Sequence, residues 1–156
     1  MTDQLVPESR VYRHRQCGEE TTVGDQSFET VSNPMSSMER TYCSSCGAMF
    51  EISEFEWSDT GETIADYYAR HSQNATPSQR FLTSKKFMLL VILIIALPAA
   101  GGAFVLLANS GMLVRLLGAF GGFIVGAFIG MMIFVEAFAK PITKKVCGVT
   151  DTRTLT

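Results

Sequence analysis

Basic residues are scarce in the front half of this 156-residue chain. The residues up to Gln79 include thirteen acidic residues, five arginines and no lysine. Proteins that bind nucleic acids use clustered Lys and Arg to neutralise phosphates, because the release of counterions stabilises the complex. The scarcity of bases therefore predicts that no nucleic acid is a partner of this half of the chain.

The sequence also lacks the residue patterns of catalytic sites. No Ser, His and Asp constellation, phosphate-binding loop or pair of intramembrane acids can be assembled from it. The acids Glu51, Glu54 and Glu56 alternate with apolar residues, as they do on the solvated face of a strand. We therefore expect a protein that is not an enzyme.

Charge is almost absent from a long part of the second half. Residues 87–108, FMLLVILIIALPAAGGAFVLLA, carry no charge, and their number matches the roughly 20 apolar residues that a helix needs to cross a bilayer core. Residues 112–139 form a second apolar run, in which Arg115 and Glu136 lie near the ends, where long side chains reach the headgroups. Because a three-residue turn joins the runs, residues 87–139 are predicted to form a transmembrane α-helical hairpin.

Basic residues flank this hairpin on its outer sides. Only Arg115 lies near the turn between the two runs. The flanking bases are Arg80, Lys85, Lys86, Lys140, Lys144 and Lys145. Since loops rich in Lys and Arg stay on the cytoplasmic side, we expect a membrane protein with two spans and cytoplasmic N- and C-termini, as in a bacterial inner membrane.

The rest of the chain divides by composition into four parts. Residues 1–9 are predicted to be a disordered tail and residues 10–70 a soluble domain. Residues 71–86 read as a polar linker, and residues 140–156 as a cytoplasmic tail. A domain as small as residues 10–70 commonly depends on disulfides or a metal for its stability.

Inside the soluble domain, apolar periodicity predicts the secondary structure. Residues 27–31, SFETV, and residues 48–57, AMFEISEFEW, alternate apolar with polar residues and are expected to be half-buried strands. Residues 62–71, ETIADYYARH, are expected to form a short helix. The domain should therefore be rich in β-structure.

Two short motifs supply candidate metal ligands. In CSSCG, Cys43 and Cys46 are separated by two residues and followed by a glycine, and HRQCG repeats this arrangement with His14 and Cys17. In a metal knuckle the chain turns tightly so that backbone amides point at the sulfurs, and the glycine adopts a conformation that is costly for other residues. Two such motifs can complete one tetrahedral site.

The combined pattern resembles the zinc-ribbon family over about residues 10–57. The resemblance implies a small β-rich fold in which one structural zinc is bound by His14, Cys17, Cys43 and Cys46. His14 stands where ribbons most often have cysteine, and zinc accepts three thiolates and one imidazole. The motifs also resemble those of rubredoxins, which bind one iron through four cysteines, but the imidazole favours redox-inert zinc over iron.

Other roles for these residues stay open on the sequence alone. Cys43 and Cys46 have the spacing of a redox dithiol, although such a motif usually opens a helix and here a strand-like run follows. A disulfide between them is the next alternative, although a cytoplasmic domain keeps its thiols reduced. His71 is an alternative fourth ligand, but it lies in the linker and lacks the knuckle spacing. Cys147 is expected to be an unpaired thiol.

The second apolar run has a pattern of its own, a row of glycines at every fourth position. Residues four apart lie near one helix face, so the row leaves a groove into which another helix can pack closely. The pattern resembles the glycine zippers of membrane proteins. Its partner is either the first run, where residues 99–103 read AAGGA, or a second copy of the chain in a homo-oligomer. This glycine row comprises Gly118, Gly122, Gly126 and Gly130.

These patterns together predict a zinc ribbon displayed on a two-helix membrane anchor. Such a protein is expected to contact membrane lipid and to act as a non-catalytic accessory module that binds a protein partner. Candidates for the contact surface are the strand faces, Trp57, and the pair Tyr67 and Tyr68. Core packing is the favoured role of Trp57, and ordinary helix packing is the alternative for the two tyrosines. The alternative function is a membrane-tethered, rubredoxin-like electron carrier.

Overall fold

The computed structural model describes residues 6–156, so the first five residues of the predicted tail lie outside the described part of the chain. The chain forms two compact units. The first unit holds the residues up to Thr76 together with Ile142–Thr156, and the second unit is Pro77–Pro141. The predicted order of a small β region followed by two long apolar helices is confirmed.

The first unit is built on two small antiparallel sheets. In the larger sheet, β1 (Ser9–His14) pairs with β2 (Glu20–Gly24) on one side and with β5 (Phe55–Trp57) on the other. The smaller sheet consists of β3 (Arg40–Cys43) and β4 (Ala48–Glu51). Each of the two metal-knuckle motifs thus lies at the turn of an antiparallel hairpin, β1–β2 or β3–β4.

An aromatic core lies on the inner face of the larger sheet. In β1, Tyr12 and His14 are buried while Arg13 between them is exposed, as the alternation of side chains in a strand requires. The ring of Tyr12 packs edge-on against Phe55 and Trp57 of β5, with centroids 5.2 Å and 6.3 Å away. Trp57 is fully buried, so it belongs to the core and not to a contact surface.

The prediction of a strand at residues 27–31 is wrong, because these residues lie in a helix, α1 (Asp25–Val31). Its two buried residues, Phe28 and Val31, are three positions apart, which places them on one helix face. In so short a segment the apolar residues also fit the period of two that is typical of a strand. Burial of Phe28 and Val31 on one face stabilises the helix instead.

The strand predicted at residues 48–57 is interrupted. A 3-10 turn, Ile52–Glu54, separates β4 from β5 and lets the two strands join different sheets. Glu51 and Glu54 stabilise the turn by a reciprocal capping box, in which the Glu54 carboxylate accepts from the Glu51 N–H at 3.2 Å.

The predicted short helix is confirmed as α2 (Ile64–His71). It begins after Thr63, whose hydroxyl accepts a hydrogen bond from the Asp66 N–H. Tyr67 and Tyr68 are buried, and their hydroxyls donate to the carbonyls of Ser32 and Val31 at the end of α1. Because these carbonyls have no partner inside α1, the two tyrosines stabilise a helix end, and their prediction as contact surface is wrong.

The second unit contains α3 (Pro77–Leu82), α4 (Lys85–Leu106) and α5 (Met112–Ile133), followed by a π-helical turn, Phe134–Ala139. The chain then continues as α6 (Lys140–Cys147). At 1.5 Å per residue, the 22 residues of α4 and of α5 each span about 33 Å, which matches a hydrocarbon core of about 30 Å. Both helices are therefore long and apolar enough to cross a membrane.

The glycine row packs against α4 of the same chain. A Cβ atom added to Gly126 would lie 2.7 Å from the Cα of Ala96, closer than real contacts permit. A Cβ atom on Gly118, Gly122 or Gly130 would also lie within 3 Å of an atom of α4 or of the residue that ends it. The first run is thus the partner that fills the groove along these four glycines.

We predict that Gly126→Leu separates α4 from α5, because the new side chain would overlap the backbone of α4. Overpacking of this kind typically costs about 1–3 kcal/mol. The thermal stability of the full-length protein in mild detergent should fall, and protease cleavage within residues 77–141 should increase.

The matched control is Gly121→Leu, since a Cβ atom at Gly121 meets nothing within 4 Å. This variant should keep the stability of the original protein. Equal loss of stability in both variants would show that close helix approach at the glycine row does not hold the hairpin together.

Candidate metal centre

The four candidate ligands come from the two knuckle turns. His14 is the last residue of β1 and Cys17 lies in the turn to β2, while Cys43 is the last residue of β3 and Cys46 lies in the turn to β4. The two hairpins therefore contribute two ligands each. We call these four residues the ligand cluster.

Both turns have the same backbone geometry. Gly18 and Gly47 adopt positive φ angles of 73° and 65°, the left-handed conformation that glycine adopts with little strain. The Gly18 N–H donates to the carbonyl of His14 at 2.8 Å, and the Gly47 N–H donates to that of Cys43 at 3.0 Å. The repeated sequence pattern thus folds into a repeated turn, which points each pair of ligands to the same side.

The ligand atoms converge on one point. The Nδ1 atom of His14 and the three sulfur atoms all lie within 4.8 Å of one another. Nδ1 lies 3.3 Å from the sulfur of Cys17 and 3.7 Å from that of Cys46, and the sulfurs of Cys17 and Cys43 are 3.7 Å apart. A tetrahedral zinc site separates its ligand atoms by about 3.6–3.8 Å. The cluster is therefore close enough to hold a metal ion.

The side chain of His14 is buried against two aromatic rings. It is 1% exposed, and its ring lies 4.4 Å from that of Phe50 and 4.8 Å from that of Phe55. Its Nε2 atom is buried and has no hydrogen bond among the described residues, while a carboxylate oxygen of Glu54 lies 3.9 Å away. Nδ1 is the ring nitrogen that lies beside the sulfur atoms of the cluster, so it is the atom that a metal ion would contact.

Phe50, Phe55 and Glu54 are the supporting residues that sequence reasoning did not identify. Glu54 was expected on the solvated face of a continuous strand, but the 3-10 turn directs it towards His14. No motif marks such residues, because they meet His14 only through the pairing of β1 with β5 and the interruption between β4 and β5.

Hydrogen bonds within the cluster shift the pKa values of the Cys43 and Cys46 thiols. A hydrogen bond from the backbone N–H of Cys46 is the main cause that lowers the pKa of the Cys43 thiol to about 7. The pKa of the Cys46 thiol is raised to about 12, chiefly because this thiol hydrogen-bonds to Cys43 and also to Cys17. Without a cation the cluster therefore keeps the proton of Cys46 at neutral pH, and a divalent cation at its centre would stabilise further thiolates.

The remaining cysteine and histidine lie outside the cluster. His71, the alternative ligand, packs its ring edge-on against Tyr67 at the end of α2, with centroids 4.6 Å apart. Cys147 ends α6 and packs against the core of the first unit. All four cysteines are free thiols, so no disulfide joins Cys43 to Cys46 in this structure.

The geometry favours a closed site. If all four residues bind one metal ion, no coordination position is left for water or substrate, and such sites are structural. Cys43 and His14 are buried, while Cys17 and Cys46 are exposed. The cluster thus lies at the edge of the first unit, where it joins the two sheets.

Comparisons with known proteins supply no relative for this site: no protein-family model, no curated protein and no solved structure matches the chain. The assignment of the cluster as a metal site therefore depends on the geometry of its own residues.

We predict that metal binding releases protons, because the Cys46 thiol is protonated at neutral pH and must lose its proton to become a ligand. The apparent zinc affinity of the metal-free, full-length protein should rise about tenfold per pH unit for each proton released, and it should fall as the pH is lowered. Indicator-dye titrations in weak buffer and competition with a chromophoric chelator measure both effects.

Cys46→Ser should weaken zinc binding and release fewer protons, whereas Thr150→Ala, at an exposed position outside the cluster, should change neither. A zinc affinity that stays constant between pH 6 and pH 8 would contradict the prediction.

Proposed function

We propose that this chain is a membrane-anchored zinc protein in which a closed site of one imidazole and three thiolates stabilises the soluble unit. The observation that carries the proposal is the convergence of the four ligand atoms within 4.8 Å. The chemistry of the ligands favours zinc, since soft thiolates and imidazole suit this ion and the fourth thiolate of a rubredoxin-like iron site is replaced by His14. The resemblance to zinc ribbons supports the same choice.

A structural role follows from the size of the first unit and from the position of the cluster. Two of the ligands extend from the larger sheet and two from the smaller sheet. A metal ion would link the two sheets at an edge of the unit, where Cys17 and Cys46 are exposed. In small domains metal binding can supply much of the folding free energy.

The proposed role towards other molecules is binding to a protein partner and not catalysis. Tyr42 and Met49 lie opposite each other on β3 and β4 and are 47% and 54% exposed, so they form a pair of exposed side chains on the surface of the first unit. They line an open groove of about 500 Å³, in which Arg40 is the charged lining residue. Crosslinking from position 49 in cells would identify a protein that occupies this groove.

We predict that full-length protein purified in mild detergent without added metal contains one zinc ion per chain. Elemental analysis should find zinc, and visible absorption should be absent because zinc has no transitions there. Removal of the metal with a strong chelator should unfold the first unit, seen as increased protease cleavage before Thr76, and added zinc should restore protection.

An iron–thiolate absorption band with one iron per chain would favour the alternative function, a membrane-tethered electron carrier. Protein without any bound metal, and with unchanged protease resistance in chelator, would contradict the proposal altogether.

The topology we propose places both ends of the hairpin in the cytoplasm. The first unit combines residues before α3 with Ile142–Thr156, so both ends must lie on one side of the membrane, which two spans allow. The bases beside the spans assign that side to the cytoplasm.

Cysteines introduced at the exposed positions Gln73 and Thr150 should resist a membrane-impermeant maleimide in intact cells, while a cysteine at Ser110, in the turn of the hairpin, should react. Mass spectrometry of the labelled peptides distinguishes these sites from the native cysteines. Labelling of position 73 or 150 in intact cells would contradict the topology.

A further inference from the structure

The C-terminal segment, Ile142–Thr156, completes the core of the first unit. Leu155 is 7% exposed and belongs to the same buried cluster as Trp57 and Tyr67. The hydroxyl of Thr152 is buried and lies 3.4 Å from that of Ser32, which follows α1. Sequence reasoning placed these residues in a tail and did not anticipate the contact.

Two arginines hold the backbone at the end of this segment. Arg10 donates from Nη1 to the carbonyl of Leu155 at 3.2 Å, and its guanidinium lies 4.1 Å from the ring centre of Trp57. Arg70 donates from Nη2 to the carbonyl of Thr156 at 3.2 Å. Both arginines are also paired with acids of the same unit, so their positions are fixed on several sides.

Strand β1 joins this contact directly to the ligand cluster. Arg10, Tyr12 and His14 occupy alternate positions on one face of the strand, and four residue steps place the Cα atoms of Arg10 and His14 about 13 Å apart. Tyr12 lies between them, with its ring against Trp57, a member of the same buried cluster as Leu155. A single short strand therefore carries both the metal ligand and the arginine that holds the C-terminal segment.

A second connection runs through β3. The hydroxyl of Tyr12 donates to the carbonyl of Tyr42 at 2.6 Å and lies 3.2 Å from the hydroxyl of Thr41. The next residue is Cys43, a member of the ligand cluster. Displacement of either hairpin from the metal site would thus disturb Tyr12 and the core against which Leu155 packs.

We propose that the first unit is a metal-dependent clamp, in which occupancy of the ligand cluster controls whether the C-terminal segment is held. The chain leaves the first unit after Thr76 and re-enters it at Ile142, so release of the segment frees one end of the hairpin while the other stays attached. This inference rests on the proposed function, since it requires a bound metal. Linkage makes it reciprocal: if the metal stabilises the bound segment, the bound segment increases metal affinity by the same factor.

The first test uses Cys147, which lies in the C-terminal segment, packs against the core and is not a ligand. Full-length protein in mild detergent is treated with a maleimide, with and without a zinc chelator, and labelling of the Cys147 peptide is followed by mass spectrometry. We expect slow labelling with metal and an increase of between about 5- and 150-fold without it, the usual range of coupling between sites.

The outcomes separate the two proposals. Protein that loses its metal and becomes more sensitive to protease before Thr76, while Cys147 labelling stays unchanged, would overturn the clamp and leave the structural role of the metal intact. Protein that never contained a metal would overturn both.

The reciprocal test weakens the packing of the C-terminal segment and measures the rate at which zinc leaves the protein. Leu155→Ala should accelerate zinc transfer to a chromophoric chelator, and Leu155→Val should do so to a smaller extent in protein that keeps its fold. Thr150→Ala is the matched control, because Thr150 is exposed in the same segment and should leave the rate unchanged. Zinc transfer at the original rate in both Leu155 variants would overturn the coupling.

Discussion

Three sulfur atoms and one imidazole nitrogen must approach to less than 5 Å in this fold, and much of the first unit follows from that requirement. Two tight turns bring the ligands together, and each turn depends on a glycine with a positive φ angle. Hydrogen bonds of the Cys46 thiol to Cys43 and Cys17 are the main cause of its raised pKa, so this thiol keeps its proton at neutral pH. A cation at the centre would stabilise the thiolate form and would join the two separate sheets.

The second unit depends on close packing between its two long helices. Within a bilayer, helices gain no hydrophobic free energy by associating, so they depend on close packing. The glycine row removes the side chains that would keep α4 and α5 apart, and the backbone of α4 approaches it closely at Ala96 and Ala99. The hairpin also separates the two parts of the first unit in the sequence, so that unit is complete only when the chain has returned from the second helix.

Features with a short sequence period were predictable, and features that depend on distant contacts were not. The ligand cluster follows from a spacing of three positions repeated in two turns, and the hairpin from two long apolar runs. The strand predicted at residues 27–31 was wrong because five residues fit two periods equally well, and burial of Phe28 and Val31 selected the helix. The contact between Arg10 and Leu155 joins residues 145 positions apart, and the polar sequence around Leu155 gives no local sign of it.

The most direct test of the metal centre is X-ray absorption spectroscopy at the zinc edge on the full-length protein. We expect three sulfur atoms at about 2.3 Å and one nitrogen at about 2.0–2.1 Å from the metal. His14→Cys should convert this signal to four sulfur atoms and leave the distance to sulfur nearly unchanged. A first shell of oxygen and nitrogen atoms with fewer than three sulfurs would contradict the assignment of His14, Cys17, Cys43 and Cys46 as the ligands of a closed site.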